Sequence, residues 1–155
     1  MSRLGEIVRT AYAALSGRTS TPEYDIVLAD VASRSLVATV VGAFADDDRT
    51  PLGCITYVPD VTNPLAEFVD PDAAGFRMLG VDPGAQRNGA GRALVSWCVE
   101  RARESGRRRI VIHSTDAMLI AHGLYRSFGF VRDPTMDWEP EPGLWLRGFV
   151  LDLAP

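Results

Sequence analysis

The sequence predicts one α/β domain: a mixed, mostly antiparallel sheet flanked by helices. Three observations carry that expectation. Residues 36–58 hold two β-branched apolar runs joined by a polar tip, the pattern of a hairpin. Residues 75–112 read strand, glycine-rich turn, helix, strand, a βαβ unit whose two strands must be parallel. Helical periodicity then brackets these segments, at the start of the chain and again at residues 117–128. A chain of 155 residues, 46% apolar and 23% charged, suits one folded domain with a substantial core spanning residues 1–155.

Leu4, Ile7, Val8, Ala11, Tyr12 and Leu15 recur at helical spacing, and Gly17 ends that helix. Ser20-Thr21-Pro22-Glu23 is a helix start, with a hydroxyl cap and Pro just inside. The second helix is expected from Pro22 to about Ser35, its apolar face formed by Tyr24, Val27, Leu28, Val31 and Ala32. Strands follow at Leu36–Ala45 and Leu52–Val58. The acidic tip between them, Asp46-Asp47-Asp48, reads as a solvated turn, because the ligand pattern of an EF-hand is absent. Residues 59–74 are irregular, with Pro59, Pro64 and Pro71; a loop of this length is expected beside a substrate cleft.

Gly75–Val81 is the strand that enters the most informative stretch. Asp82-Pro83-Gly84 turns the chain, Gln86-Arg87-Asn88-Gly89-Ala90-Gly91-Arg92 follows, and a helix runs from Gly89 to about Glu104. Its buried side is read as Leu94, Trp97, Cys98 and Arg101-Ala102, and Gly106 ends it. Backbone N–H groups at such a helix start have no partner within the helix and converge on one spot, where the helix dipole adds about half a positive charge. That is an anion cradle suited to a phosphate or diphosphate. Gly84 and Gly89 have P-loop spacing, but Ala90-Gly91 replace the required Lys and Ser/Thr, which excludes an NTPase. Gly89-Ala90-Gly91 starts like a dinucleotide fingerprint, but Leu94 replaces its third glycine. No acid follows at the distance a ribose needs, so a nicotinamide or flavin site is not expected.

Arg107-Arg108-Arg109 lead into the strand Ile110–Ile112, as a solvated connection or a contact for a ligand's phosphate. His113-Ser114-Thr115-Asp116 supply a capping residue for the helix Ala117–Phe128, which Gly129 ends. Two strands complete the chain, Phe130 to about Trp138 and Leu144–Leu153. The formal net charge of −4 argues against generic nucleic-acid binding. No run is long enough to span a membrane, and no secretory signal is present, so a cytoplasmic protein is expected. Cys54 and Cys98 read as buried thiols, and they form no metal-binding pattern with His113 and His122.

Two motifs together resemble the GCN5-related N-acetyltransferase (GNAT) family. They are Gln86-x-x-Gly89-x-Gly91 after strand-Val-Asp-Pro, and Ala121-x-x-Leu124-Tyr125-x-x-Phe128-Gly129-Phe130. The resemblance covers roughly Ala38 to Leu153. It implies a splayed pair of parallel strands at the sheet's centre, with acetyl-CoA as co-substrate and no metal. The diphosphate would sit on backbone amides around Gln86, Arg87, Asn88, Gly89, Ala90, Gly91 and Arg92. The pantetheine arm would lie along Met78 to Val81, with the amide of Leu79 or Gly80 polarising the thioester. Tyr125 would protonate the leaving thiolate as a primary amine of a small molecule or peptide attacks directly. A non-catalytic acyl-CoA-binding or sensor module on the same fold is the alternative.

The chain departs from the family pattern in three places. Met118 replaces an Asn that contacts the coenzyme arm, so that contact is missing or supplied by Ser114 or Thr115. Phe76-Arg77-Met78 carries no acid where relatives often place a Glu base. Glu67, Asp70, Asp72, Asp116, a water chain, His113 or His122 remain as candidates. The family's first strand is also expected to be missing. Trp138, Trp145 and Phe149 suggest an aromatic wall for the acceptor, though they equally suit core packing or homodimer contacts.

Overall fold

A computed structural model describes residues 2–15 and 21–153. The expected helix stop at Gly17 and the residue Ser20 lie outside these residues. Helix α1 (Ser2–Ala13) buries Ile7, Val8 and Tyr12, the periodic face read from the sequence. Thr21 caps the next helix by accepting a hydrogen bond from the Tyr24 N–H. The single helix expected from Pro22 to Ser35 is instead two, α2 (Pro22–Ala29) and α3 (Val31–Val37). Asp30 makes the break. Its N–H closes α2 on Ile26 and Val27, and its carboxylate accepts from the Ser33 N–H to start α3. The break turns Val27 outward, so Leu28 and Val31 carry the buried face.

The hairpin forms as expected from β1 (Thr39–Phe44) and β2 (Pro51–Val58). At its tip Asp47 accepts from the Arg49 and Thr50 N–H groups and the Thr50 hydroxyl, which holds its carboxyl down at about 2. Strand β3 (Ala73–Val81) continues antiparallel to β2. The βαβ unit is then completed by α4 (Ala90–Glu104) and β4 (Arg109–Ser114). Helix α5 (Leu119–Phe128) ends at Gly129, whose φ of 97° supplies the left-handed stop. It begins later than expected, at Met118, which supplies no side-chain cap, while Asp116 pairs with Arg147.

The uncertain strand after Phe130 resolves into β5 (Val131–Arg132), a helical turn at Pro134–Met136 and β6 (Trp138–Glu141). The chain returns in β7 (Leu144–Asp152). The seven-stranded sheet runs β1-β2-β3-β4-β7-β5, with β6 on the outer half of β7. Only the β3–β4 pair is parallel.

The sheet separates two cores. Beneath α4 and α5 lie Ile55, Phe76, Leu94, Cys98, Tyr125, Phe130 and Phe149; beneath α1 and α2 lie Val8, Tyr12, Leu28, Cys54 and Met78. Trp97 is not on the buried side of α4. It is 37% exposed and packs edge-on against Tyr57. Val95 and Val99 fill that side instead, and Arg101 is also exposed.

Candidate active site

The centre of the site is a failure of pairing. β3 and β4 pair only at Ala73–Arg109 and Ala74–Ile110, at the start of both strands. From Gly75 onward the β4-facing edge of β3 has no ladder partner, while β4 stays paired to β7 through Ser114. Backbone polar groups need partners. The opening therefore presents a strand's worth of donors and acceptors to an extended ligand, as the splayed pair requires.

A bulge shapes the same stretch. The register moves from Cys54↔Gly80 to Thr56↔Arg77, so β3 holds one extra residue opposite Ile55. Met78 absorbs it at a φ of 54°. The consequence is visible in the side chains. Phe76 and Leu79 pack towards α4, whereas the neighbours Arg77 and Met78 both line a cavity on the α1 side. Gly80 lies close under α1, where a Cβ would stand 2.7 Å from Val8 Cα.

The glycine-rich loop lies at the end of β3. Asp82 accepts from the Gly84 N–H, and a helical turn spans Pro83–Ala85. Gln86, Arg87, Asn88 and Gly89 are all exposed. Arg87 and Gly89 both take positive φ, 71° and 79°. Gly89 is the N-cap of α4 and offers no side-chain cap, so the first N–H groups of the helix, from Ala90, Gly91 and Arg92, face outward without one. A Cβ at Gly89 would meet nothing within 4 Å, whereas one at Gly91 would touch Leu124 and Val81. Gly89 thus keeps the cradle open, and Gly91 lets α4 pack closely. The Arg92 guanidinium donates to Ser127 Oγ at 2.9 Å and stacks on Phe128, so only its backbone faces the cradle. These exposed amides and the released strand edge fit an extended ligand bearing a diphosphate. Arg107–Arg109 do not serve it. They sit at the opposite end of the sheet, where Arg107 donates to the Pro71 carbonyl and Arg109 pairs with Asp70 at 2.6 Å.

Tyr125 lies across the sheet from the cavity, against Phe76, Phe130 and Phe149, and is 5% exposed. Burial pushes its phenol well up, so it holds its proton. The cavity itself, about 300 Å³, is lined among others by Tyr12, Tyr24, Glu67, Arg77, His113 and Trp138. Of the three aromatic residues expected to wall it, only Trp138 does. Phe149 is core, and Trp145 stacks under Arg147. Leu144 and Leu146 supply the apolar wall instead. The irregular loop contributes Glu67, as its expected place beside a cleft requires, while Asp70 is taken by Arg109 and Asp116 by Arg147. His122 is buried against Phe149 and bonds Ser114 Oγ at 3.0 Å; burial lowers it, which suits a structural role. Thr115 lines the cavity with its hydroxyl buried and without a protein partner.

Sequence periodicity could not find the Glu67–His113 juxtaposition, since neither residue belongs to a motif. No group of three or more potential metal ligands occurs among the described residues, and no helix there is long and apolar enough to cross a membrane.

The site thus combines a sheet prised open between β3 and β4, uncapped amides at the start of α4 and a cavity on the far face. The sequence match agrees: the model of the Acetyltransferase (GNAT) family covers residues 4–130, and the chain belongs to that family. Solved structures share the fold. An N-acetyltransferase related to GCN5 from Kribbella flavida is 24% identical, with 97% of this chain and 90% of that chain covered and a TM-score of 0.69. yncA from Salmonella typhimurium, determined with its cofactor acetyl-CoA, is 21% identical over 98% and 87%, with a TM-score of 0.67. The ribosomal-protein-S18-alanine N-acetyltransferase from Escherichia coli is 15% identical over 100% and 91%, with a TM-score of 0.65. A comparison with curated protein sequences returns no match.

Proposed function

We propose that this domain transfers the acetyl group of acetyl-CoA to a primary amine of a small molecule or peptide, by direct attack of the amine. The observation that carries the reading is the released edge of β3 running straight into the uncapped start of α4. In this reading the backbone from Gln86 to Arg92 (Gln86, Arg87, Asn88, Gly89, Ala90, Gly91 and Arg92) holds the coenzyme's diphosphate. The β3 edge at Leu79, Gly80 and Val81 takes the pantetheine arm. When bound, acetyl-CoA supplies the activated thioester.

The chain's residues do the rest. The amide of Leu79 or Gly80 stabilises charge growing on the thioester oxygen, the usual work of a fixed backbone donor. Tyr125 holds a proton for the departing sulfur, and its burial favours the protonated form. Bringing both reactants together supplies much of the remaining acceleration. Direct attack is favoured over an acyl-enzyme because burial pushes the Cys54 thiol up to about 11 and Cys98 higher still. The chain also has no lysine; all sixteen of its basic Lys/Arg positions are Arg.

The test is thiol release from acetyl-CoA across a panel of amines, with coenzyme binding measured alongside. Amine-dependent release supports the reading. Tight binding without turnover for any amine would make the domain an acyl-CoA-binding module.

A further inference from the structure

His113 stands on β4 with its side chain 5% exposed, and it lines the cavity on the α1 side of the sheet. Its Nε2 lies 2.9 Å from the carbonyl oxygen of Met136. A carbonyl oxygen can only accept, so Nε2 carries a hydrogen, and in the neutral ring the lone pair then lies on Nδ1. That lone pair is turned towards Glu67, whose Oε2 is 3.6 Å away. The separation exceeds a hydrogen bond but lies within ion-pair reach once the ring is protonated. Glu67 is itself anchored: its Oε1 meets Arg77 Nη2 at 2.5 Å, and its side chain is 16% exposed. Met136 is anchored too. The next residue, Asp137, receives two bonds of 2.8 Å from Arg132, one from the Gly148 N–H and one from Arg147. The imidazole is therefore held by a carbonyl at one nitrogen and faces a carboxylate with the other, which is placed to balance any charge the ring acquires.

We propose that His113 Nδ1 is the general base that removes a proton from the acceptor's ammonium group, with the Met136 carbonyl holding the ring and Glu67 balancing the imidazolium. The proposal rests on the acetyltransferase reading above. In the step, one N–H bond of the ammonium breaks and its electron pair stays on nitrogen. The proton passes to Nδ1 and from there to solvent. An alkylammonium, with a reference value near that of lysine at about 10.4, presents little free amine at neutral pH, so such a base is needed. An imidazole, reference about 6.5, is closer to neutral than a carboxylate at about 4.3, which suits it to the task. The other titratable groups facing this space are Tyr12 from α1, Tyr24 from α2, Arg77 from β3 and Glu141 from β6. Glu67 pairs with Arg77, leaving the histidine lone pair to meet the incoming cation.

Two measurements test this. The chain has only two histidines, so imidazole nitrogen NMR of the whole protein gives two ring systems, and His113→Gln assigns them. The neutral His113 ring is expected as the Nε2–H tautomer; an Nδ1–H tautomer overturns the proposal without any acceptor being known. The second measurement is the pH profile of turnover. His113→Gln keeps a side-chain N–H to offer Met136 but removes the basic lone pair. About a 10²-fold loss of kcat is expected at neutral pH, the usual contribution of a general base. Affinity for CoA should stay within about twofold, a change too small for a lost contact. The deficit should shrink as pH rises and the acceptor deprotonates by itself. Glu67→Gln should lose about tenfold in kcat at neutral pH, because the imidazolium formed in the step then lacks its balancing charge. A His113→Gln deficit that is constant with pH, or full activity there with collapse in Glu67→Gln, overturns the assignment. Failure of the wild-type protein to turn over any amine counts against the transferase reading, while the tautomer, read in the free protein, decides the placement of the lone pair.

Discussion

Replacing Gly89 with Ala separates folding from coenzyme binding. Gly89 sits at a φ of 79°, where an L-residue is strained by about 1–2 kcal/mol. Restricting the unfolded chain returns about 0.4–1 kcal/mol, so the net cost is about 1 kcal/mol, or about 2–4 °C in Tm for a chain of this size. No clash adds to this, since a Cβ at Gly89 meets nothing within 4 Å. That empty space is where the cradle reading puts the diphosphate. A methyl group there holds the anion off the backbone amides. Losing one charged hydrogen bond costs about 1.5–3 kcal/mol, a tenfold to hundredfold weakening of CoA binding. Gly91→Ala is the control, because its Cβ turns to Leu124 and Val81 at 3.4 and 3.6 Å. It should gain helix propensity of up to about 1 kcal/mol and bind CoA within about twofold of wild type. Calorimetric titration with CoA and thermal melts read both quantities. Wild-type affinity in Gly89→Ala, or greater damage in Gly91→Ala, would refute the placement of the cradle.

Two further outcomes follow from the same geometry. Tyr125→Phe should lower kcat by about 10²-fold with CoA affinity kept, in line with a lost general acid, and stopped-flow turnover with calorimetry separates the two quantities. Asp137→Asn should lower Tm at neutral pH. Arg132 chiefly holds the Asp137 carboxyl down at about 2, below its ordinary 3.8, so its contribution is full above about pH 4 and fades as pH falls to about 2. Melts across that range should converge for wild type and variant; a difference that stays constant at acid pH contradicts the ion pair's role.

Local chemistry made much of this domain legible in the sequence. Asp82-Pro83-Gly84 announced the turn, and Gly89 and Gly129 announced the start of α4 and the end of α5, because both glycines take a positive φ that few residues accept. The β3–α4–β4 unit followed from hydrophobic period and length. What escaped depended on competition or distance. Asp30 could have continued a helix, yet its carboxylate was worth more as a cap for α3 than as an exposed helical side chain. The bulge at Met78–Leu79 has no composition of its own; it shows only when β3 is laid against β2. Glu67 and His113 meet across a loop and a strand, brought together by the sheet rather than by any spacing in the chain. Trp97 was read as buried from its helical phase, but the strip under α4 is filled by Leu94, Val95, Cys98 and Val99, which leaves the larger ring at the edge.

The proposed activity comes down to one event: transfer of acetyl from acetyl-CoA directly to an amine. Thiol release followed with a panel of primary amines, together with mass measurement of the protein after incubation with acetyl-CoA alone, tests it most directly. The expected result is thiol release that depends on both acetyl-CoA and an amine, with acetylated amine formed in equal amount and no acetyl group left on the protein. Failure to bind CoA, or an acetylated protein that passes its acetyl group on in a second step, would contradict it.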